Sequence, residues 1–513
     1  MNPQIDKPHN KLGIKLRPEF PFFLFRSGYF QISAPRLPDM IFFITFFTVI
    51  LLGQRMINMD GDIFRHLSIG RLIIETGKPI TIDVFSHTVA GTPFSPHEWF
   101  AGVLFFFVYS AGKVNGLVFL SALLLSSTFF IVYSLAVSLS GNRVFSFMLT
   151  VFGIMASSLH WIIRPHLFSM LFTAIWLGLL LVRATNKKWS ILWFPALMLL
   201  WVNIHGEFVF AFLILASFIA GEIWKKTLDG DSYDRSTVVE YLKISVISFL
   251  ASLINPVGIQ VWQTILGYVG NDYMVSHTLE YQSPNFLEPK FAIFLFLIGL
   301  SIFLMSIRRK SIEPALGFLL AGITMMTLVS SRNIHLYGVI VPVILATCFD
   351  GSLPANLFMR VERLFAKFDD GQVTLFWPLV TVILIGSLIA SGKIGQKNKI
   401  APTFFPIDAV AWLEQNPQEG NVFNYFDWGG YLIFHFWPEK TVFIDPQTDV
   451  YGEKVVRQYE QVLMGKEGWQ KIIDQYDIQW AILPSKNLIG PLLEQEGWTA
   501  VYSDEITIIY SEK

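Results

Sequence analysis

Long apolar runs recur along the whole chain, and they constrain its fold more than any other feature. Twelve can be distinguished, near residues 39–54, 98–112, 115–140, 143–162, 167–183, 189–204, 207–224, 240–255, 291–307, 313–330, 333–349 and 374–391. A bilayer core about 30 Å thick is crossed by about 20 apolar residues in a helix. Because unpaired backbone groups are costly in hydrocarbon, each run is expected to be helical. The sequence predicts a polytopic α-helical membrane protein.

The balance of charge agrees with this prediction and excludes one class of partner. Only 15% of the residues are charged, whereas soluble chains average about 25%. The chain has 38 basic and 39 acidic residues. A nucleic-acid partner would require an excess of basic residues to neutralise phosphates, so none is expected.

Lys and Arg in short loops predict the orientation, because such loops favour the cytoplasm. Four clusters can be cytoplasmic together: Lys187 and Lys188, Lys225 and Lys226, Arg308 to Lys310, and Arg360, Arg363 and Lys367. The basic tail, residues 1–38, is expected on the same side, with the transmembrane region at residues 39–392. Loops 55–97 and 256–290 and the segment 401–513 then face outward, which requires an odd number of spans, 11 or 13. A multi-pass plasma-membrane protein is predicted.

The segment 401–513 has the character of a soluble α/β domain. Helical stretches (PIDAVAWLEQ and KEGWQKIIDQY) alternate there with short runs typical of strands (NVFNYF, TVFID, IQWAIL and ITIIY). Alternation of this kind predicts helices packed on a small sheet.

The first outer loop, residues 55–97, is rich in ionisable residues. Together with the next residue it contains Asp60, Asp62, Asp83, Glu98, Arg65, His66, His87 and His97. Two acids at i and i+2 can bind a hard divalent cation, or one of them can act as a base. Alternatively, Asp60 and Asp62 cap the following helix. That helix fits an amphipathic helix on the bilayer surface, in which Arg65 and His66 would be solvated.

Further polar groups lie at the ends of apolar runs, where they are costly and therefore candidates for function. They are Arg164, His166, Asn203, His205, Glu207, Asn255, Arg332, Asn333 and His335. Gathered on one outer face, they would suit an anionic lipid phosphate, and the guanidinium fork of Arg332 favours it for that role. The alternative is that each side chain reaches to the lipid headgroups.

The pattern HL…G…I…G…P…D.FS.T..G.P…EW, which begins at His66 and follows the Asp60 turn, resembles the first outer loop of GT-C membrane glycosyltransferases. The resemblance implies transfer of a sugar from a polyprenyl-phosphate or polyprenyl-pyrophosphate donor. It implies that Asp60 is the catalytic or metal-binding acid, with Asp62 beside it. The implied cofactor is Mg²⁺ or Mn²⁺.

Two shorter segments resemble motifs of the oligosaccharyltransferases in this superfamily. His277 to Glu280 is similar to a Ser/Thr-containing motif that ends in Glu, which implies that Glu280 binds the metal or the acceptor. Asp427 to Tyr431, DWGGY, resembles the acceptor-reading WWDYG motif, but its acid precedes the tryptophan and glycine replaces the aspartate. The alternative for DWGGY is a tight turn that packs Trp428 and Tyr431 in the domain core.

The prediction is an inverting GT-C glycosyltransferase that uses a polyprenyl-phosphate-linked sugar and a glycan, lipid or protein acceptor. Asp60, Asp62 and Glu280 are its predicted catalytic and metal-binding residues. Substrate and lipid-phosphate contacts are predicted for Arg65, His66, His87, Glu98, Arg164, His205, Arg332, Asp427, Trp428 and Tyr431. The alternatives are an oligosaccharyltransferase-like enzyme with a lipid-pyrophosphate donor, a polytopic transporter and an inactive scaffold.

Overall fold

A computed structural model describes residues 35–185, 190–228, 233–269, 273, 275, 278–308, 312–349, 361–363 and 375–512. Several sequence predictions fall outside these residues: the tail up to residue 34, Lys187, Lys188, His277, Arg309, Lys310, Arg360 and Lys367. The described part is mostly helical, as predicted.

Helices, most of them apolar, form the larger part of the molecule. They are α1 (Leu37–Asn58), α3 (Trp99–Ser140), α4 (Arg143–Ser157), α5 (His166–Thr185), α6 (Trp193–Ile204), α7 (Val209–Leu228), α8 (Arg235–Ser252), α9 (Gln260–Val269), α10 (Ala292–Ile307), α11 (Pro314–Val329), α12 (Ile334–Ala346) and α13 (Phe376–Ala390). Among the described residues, six helical stretches are long and apolar enough to cross a membrane, and four shorter helices are also apolar. The polytopic helical architecture is confirmed, whereas 11 or 13 spans stays a prediction.

Helix α3 joins two of the predicted runs without a loop. It extends over 42 residues, and Lys113 interrupts it with a φ of 51°. This residue falls between the runs at 98–112 and 115–140, so two helical segments meet there at a kink.

The first outer loop contains helix α2 (Asp62–Thr76). Its apolar residues Ile63, Phe64 and Leu67 are at most 1% exposed, because α2 packs between α3 and a helix of the C-terminal part. An ideal Cβ at Gly70 would lie 2.1 Å from the carbonyl oxygen of Gly102, so the backbones of α2 and α3 are in direct contact. The amphipathic helix was predicted correctly, but its apolar face packs on protein, and the expectation that Arg65 and His66 are solvated is wrong.

The C-terminal part contains a four-stranded sheet with helices around it. The strands β1 (Asn421–Asn424), β2 (Ile478–Pro484), β3 (Thr499–Ser503) and β4 (Thr507–Ser511) lie in the order β1-β2-β4-β3. The β1–β2 pair is parallel, and the other two pairs are antiparallel. The helices are α14 (Ile407–Gln415), α15 (Gly429–Phe436), α16 (Thr448–Leu463), α17 (Trp469–Gln475) and α18 (Gly490–Gln495). The predicted α/β character is confirmed.

One predicted strand, TVFID, does not join the sheet. Its Val442 instead pairs with Ser86 of the first outer loop, and the side-chain oxygen of Asn424 accepts the Phe443 N–H at 2.8 Å. The backbone of this segment is therefore satisfied by the loop and by Asn424, while the unpredicted strand β3 completes the sheet.

Candidate functional site

The two acids of the first outer loop meet Arg164, which lies between α4 and α5. Asp60 accepts the backbone N–H of Asp62 through Oδ1 at 3.1 Å, and its Oδ2 accepts a bond from Nε of Arg164. Asp62 Oδ2 lies 2.8 Å from Nη2 of the same guanidinium. Asp60 thus accepts the first backbone N–H of α2 with one oxygen and faces the arginine with the other.

Glu280 is the third carboxylate on this guanidinium. Its Oε1 lies 3.1 Å from Nη1 of Arg164, and its Oε2 lies 3.9 Å from both His160 Nε2 and Arg332 Nη1. The hydroxyls of Ser330 and Ser331 donate to its backbone carbonyl at 3.1 and 3.2 Å. We call Asp60, Asp62, Glu280 and Arg164 the carboxylate cluster.

Arg332 lies at the edge of the carboxylate cluster. Its Nη1 donates to the hydroxyl of Tyr281 at 2.8 Å, and its guanidinium lies over the tyrosine ring, 5.2 Å from the centroid. The side chain is 29% exposed. It is therefore oriented by the protein and still accessible to a ligand.

A row of alternating carboxylates and imidazoles lies beside the carboxylate cluster, where the ring of His335 stacks on that of His160. Glu98 lies 3.6 Å from His66 and 3.3 Å from His205. Glu207 follows, 3.5 Å from His205 and 3.1 Å from His335. These side chains come from four separate helix ends or loops and are all at least four-fifths buried.

Electrostatics keeps two of these carboxylates ionised. Burial alone would raise the pKa of Glu280, but Arg164, His160 and Arg332 lower it to about 2. Burial likewise opposes ionisation of Glu98, but three histidines around it lower its pKa to about 2. Burial lowers the pKa of His66 to about 4, so this imidazole is neutral near pH 7. The pKa of Asp62 is raised by burial and by its acidic neighbours.

Of the residues predicted from sequence, the structure brings together Asp60, Asp62, Arg164, Glu280 and Arg332, with His66, Glu98 and His205 beside them. Two members of this site, His160 and Tyr281, were not singled out. His160 lies near the end of the apolar run at 143–162, four residues before Arg164, and Tyr281 follows Glu280 directly, so proximity in sequence was the available signal. Asn203, Asn255 and Asn333 each donate to a backbone carbonyl.

Two predicted ligand contacts instead connect the first outer loop to the C-terminal part. Arg65 is 2% exposed and pairs with Asp445, and His87 Nε2 lies 3.0 Å from the carbonyl oxygen of Val422. Arg65 Nη1 and His87 Nε2 are thus engaged in protein contacts, and a role of either residue in ligand binding stays a prediction.

The DWGGY segment packs directly on the Asp60 turn. An ideal Cβ at Gly61 would lie 2.2 Å from the Asp427 carbonyl oxygen, and one at Gly430 would lie 2.7 Å from the Gly61 carbonyl oxygen. Trp428 and Tyr431 are 4% and 3% exposed. Both aromatic side chains are packed inside the protein, as the alternative interpretation expects, and their role in ligand binding stays a prediction. Only Asp427 of the three predicted contacts is exposed.

Gly430→Ala is expected to destabilise the protein by about 1–3 kcal/mol, the usual cost of overpacking. The added methyl group would meet the Gly61 carbonyl oxygen and displace the turn that carries Asp60 and Asp62. Thermal unfolding of the purified protein measures the effect. Gly322→Ala is the matched control, because this helical glycine has nothing within 4 Å of its ideal Cβ; an equal loss in both variants would contradict the prediction.

No protein-family model matches the sequence, and no curated protein matches it. Several solved structures do. An oligosaccharyltransferase from Archaeoglobus fulgidus, tethered to an acceptor peptide with an NVT sequon, gives a TM-score of 0.57 at 12% identity, over 92% of this chain and 74% of that one. ArnT from Cupriavidus metallidurans in the apo state gives 0.50 at 12% identity, over 92% and 97% of the two chains.

Both neighbours are GT-C glycosyltransferases. The chain has the GT-C fold. At this level of identity the similarity establishes the architecture only. Because the match covers 92% of the chain, it includes both the apolar helices and the C-terminal sheet.

The A. fulgidus enzyme has also been crystallised with zinc and sulfate (TM-score 0.51, 13% identity, 91% of this chain and 73% of that one). In the described part of the present chain, however, no group of three or more His, Cys, Asp or Glu side chains is placed to hold a metal ion. The predicted ligands Asp60, Asp62 and Glu280 do converge, but on the guanidinium of Arg164. Their role as metal ligands stays a prediction.

Proposed function

We propose that the protein is a membrane glycosyltransferase that transfers a sugar from a polyprenyl-phosphate-linked donor to an acceptor at the outer face of the membrane. The observation that carries the proposal is the convergence of Asp60, Asp62 and Glu280 with Arg164 and Arg332 in a GT-C fold. A structure of the A. fulgidus enzyme holds an inhibitory peptide and a dolichol-phosphate (TM-score 0.54, 12% identity, 92% of this chain and 74% of that one), which supports a lipid-phosphate partner.

In the proposed reaction, Asp60 polarises or deprotonates an acceptor hydroxyl or amide, whose electron pair attacks the anomeric carbon. The bond from that carbon to the lipid-phosphate oxygen breaks, the phosphate departs with the electron pair, and the configuration is inverted. Arg332, which is held by Tyr281 and 29% exposed, is suited to stabilise the developing phosphate charge.

The distribution of basic residues supports an outward-facing site. Helix α5 begins at His166, beside the carboxylate cluster, and has Arg183 in its last turn. Helix α7 follows Glu207, and its last turn carries Lys225 and Lys226. Because basic residues favour the cytoplasmic ends of helices, the opposite ends and the site with them are expected on the extracytoplasmic side of the plasma membrane, together with residues 401–513.

The donor is proposed to be a phosphate-linked monosaccharide rather than a pyrophosphate-linked oligosaccharide. The segment that resembles an acceptor-reading motif has both of its aromatic side chains buried, which leaves Trp428 and Tyr431 no surface for a peptide. A transporter is disfavoured because the charged groups gather at helix ends and in loops.

An assay of the purified full-length protein with radiolabelled donors tests the proposal. Polyprenyl-phosphate monosaccharides and polyprenyl-pyrophosphate oligosaccharides are supplied separately with membrane extracts as acceptors. Transfer from the first class supports the proposal, and transfer only from the second supports the oligosaccharyltransferase-like alternative. No transfer from either class, under conditions in which a known lipid-linked transferase is active, would overturn it.

Arg332→Ala is expected to lower kcat by about 10²–10³, as loss of a charge-stabilising donor usually does, and Arg332→Lys is expected to recover part of it. Steady-state kinetics with the active donor measures this. Arg457→Ala is the control, because Arg457 also lies over a tyrosine ring, at 4.1 Å from the centroid of Tyr273, but in the C-terminal part and 58% exposed. Equal kcat values for the two alanine variants would remove Arg332 from the mechanism.

A further inference from the structure

Arg164 makes one contact to each acid of the carboxylate cluster. Its Nε, Nη2 and Nη1 face Asp60 Oδ2, Asp62 Oδ2 and Glu280 Oε1 respectively, the last two at 2.8 and 3.1 Å. The acids come from two segments more than 200 residues apart in sequence. One guanidinium therefore joins the turn before α2 to the segment that precedes α10.

The segment around Arg164 is fixed in place by its own contacts. The backbone N–H of Arg164 donates to the Ile162 carbonyl at 3.0 Å, and the Arg164 carbonyl accepts the Leu167 N–H at 3.2 Å. The Ile163 N–H reaches the Met56 carbonyl of α1 at 3.4 Å, and a ring nitrogen of His166 lies 2.8 Å from the His160 carbonyl. The arginine is thus held in position by its backbone as well as by its guanidinium.

The oxygens that face Arg164 are the type of donor that a divalent cation prefers. Three carboxylates gathered around one point repel each other unless a cation lies between them. A guanidinium supplies that cation permanently, because it is not deprotonated in proteins, and its donors are directional. A metal ion could bind these three oxygens together only if Arg164 were displaced.

We infer that Arg164 is the resident cation of this site and takes the place of a divalent metal in orienting Asp60, Asp62 and Glu280. The inference rests on the proposed function only where it concerns transfer. It makes two statements: the wild-type carboxylate cluster does not bind a divalent cation, and sugar transfer does not depend on one.

The first statement is tested by measuring Mn²⁺ binding to the full-length protein after a chelator has removed any bound metal. With the wild type, the melting temperature is expected to be the same with and without Mn²⁺. The electron paramagnetic resonance spectrum of Mn²⁺ is expected to be the same with the protein as in buffer alone. In Arg164→Ala the carboxylates are released from the guanidinium, and Mn²⁺ is expected to bind and raise the melting temperature, as a ligand of the folded state does. The double variant Arg164→Ala with Glu280→Gln is the control and is expected to lose most of this response.

The wild-type measurement decides the question even if Arg164→Ala fails to fold. Stoichiometric Mn²⁺ binding by the wild type, lost in Asp62→Asn, would overturn the inference. Arg164→Lys keeps the positive charge and is expected to be as insensitive to Mn²⁺ as the wild type, so strong binding by the lysine variant would also count against a cation-replacement role.

The second statement is tested by transfer assays with and without EDTA. Equal rates support the inference, and loss of transfer that Mn²⁺ restores would overturn it while leaving the proposed function intact. If no donor supports transfer although the wild-type cluster ignores Mn²⁺ and Arg164→Ala binds it, the transferase proposal fails and the assignment of Arg164 stands.

Discussion

Asp60→Asn is expected to lower the rate of sugar transfer by about 10²–10⁴, the usual contribution of a positioned general base. The amide keeps the volume of the side chain and can still accept the Asp62 N–H, which Asp60 Oδ1 accepts at 3.1 Å. It cannot take a proton from an acceptor, and it removes one negative charge from Arg164. The effect should therefore appear in kcat more than in KM, measured with the donor that the wild type uses.

Asp474→Asn is the matched control for this variant. Asp474 lies on α17 and is exposed, so its replacement is expected to leave transfer and the melting temperature unchanged. Wild-type kcat in Asp60→Asn, with Asp474→Asn also active, would exclude Asp60 as the base. A large loss in both variants would point to a general loss of folded protein.

The membrane helices could be predicted from sequence because their physical cause is local. An apolar run of sufficient length must form a helix in hydrocarbon whatever its neighbours are, so even the two runs that meet at Lys113 were found. Residues in TVFID have the composition of a strand, but the backbone partners of Val442 lie in the first outer loop. Strand pairing depends on such distant partners, and the sequence does not show them.

The candidate site was predictable to the extent that charge is costly near a membrane. This cost indicated Arg164 and Arg332, whereas Asp60 and Asp62 were predicted from the density of ionisable residues in the first outer loop and Glu280 from a motif resemblance. The structure brings these five residues together. The partner of each charge could not be predicted from this cost. Arg164 was expected to contact phosphate but faces carboxylates, and Arg65 has its partner 380 residues away. The sequence reveals that a charge is present, whereas the fold decides what neutralises it.

Asp445→Asn is expected to destabilise the protein by about 3–5 kcal/mol, the usual cost of leaving a buried charge without its partner. Asp445 is fully buried and pairs with Arg65, which is 2% exposed. It also accepts the Tyr451 hydroxyl at 2.6 Å and the Gln447 N–H at 2.8 Å. After the substitution the nearest carboxylate oxygen to Arg65 is that of Asp83, at 3.8 Å. Thermal unfolding and protease sensitivity of the first outer loop measure the loss.

Glu453→Gln provides the comparison, because it breaks an Arg–carboxylate pair on the surface. The Glu453–Arg457 contact is 2.7 Å long, and its side chains are 47% and 58% exposed. Water screens such a pair, so its loss is expected to cost about 0–1 kcal/mol. The difference between the two variants isolates the effect of burial at the contact between α2 and the C-terminal part. Equal losses would mean that Asp83 compensates Arg65, and that this ion pair does not hold the two parts of the molecule together.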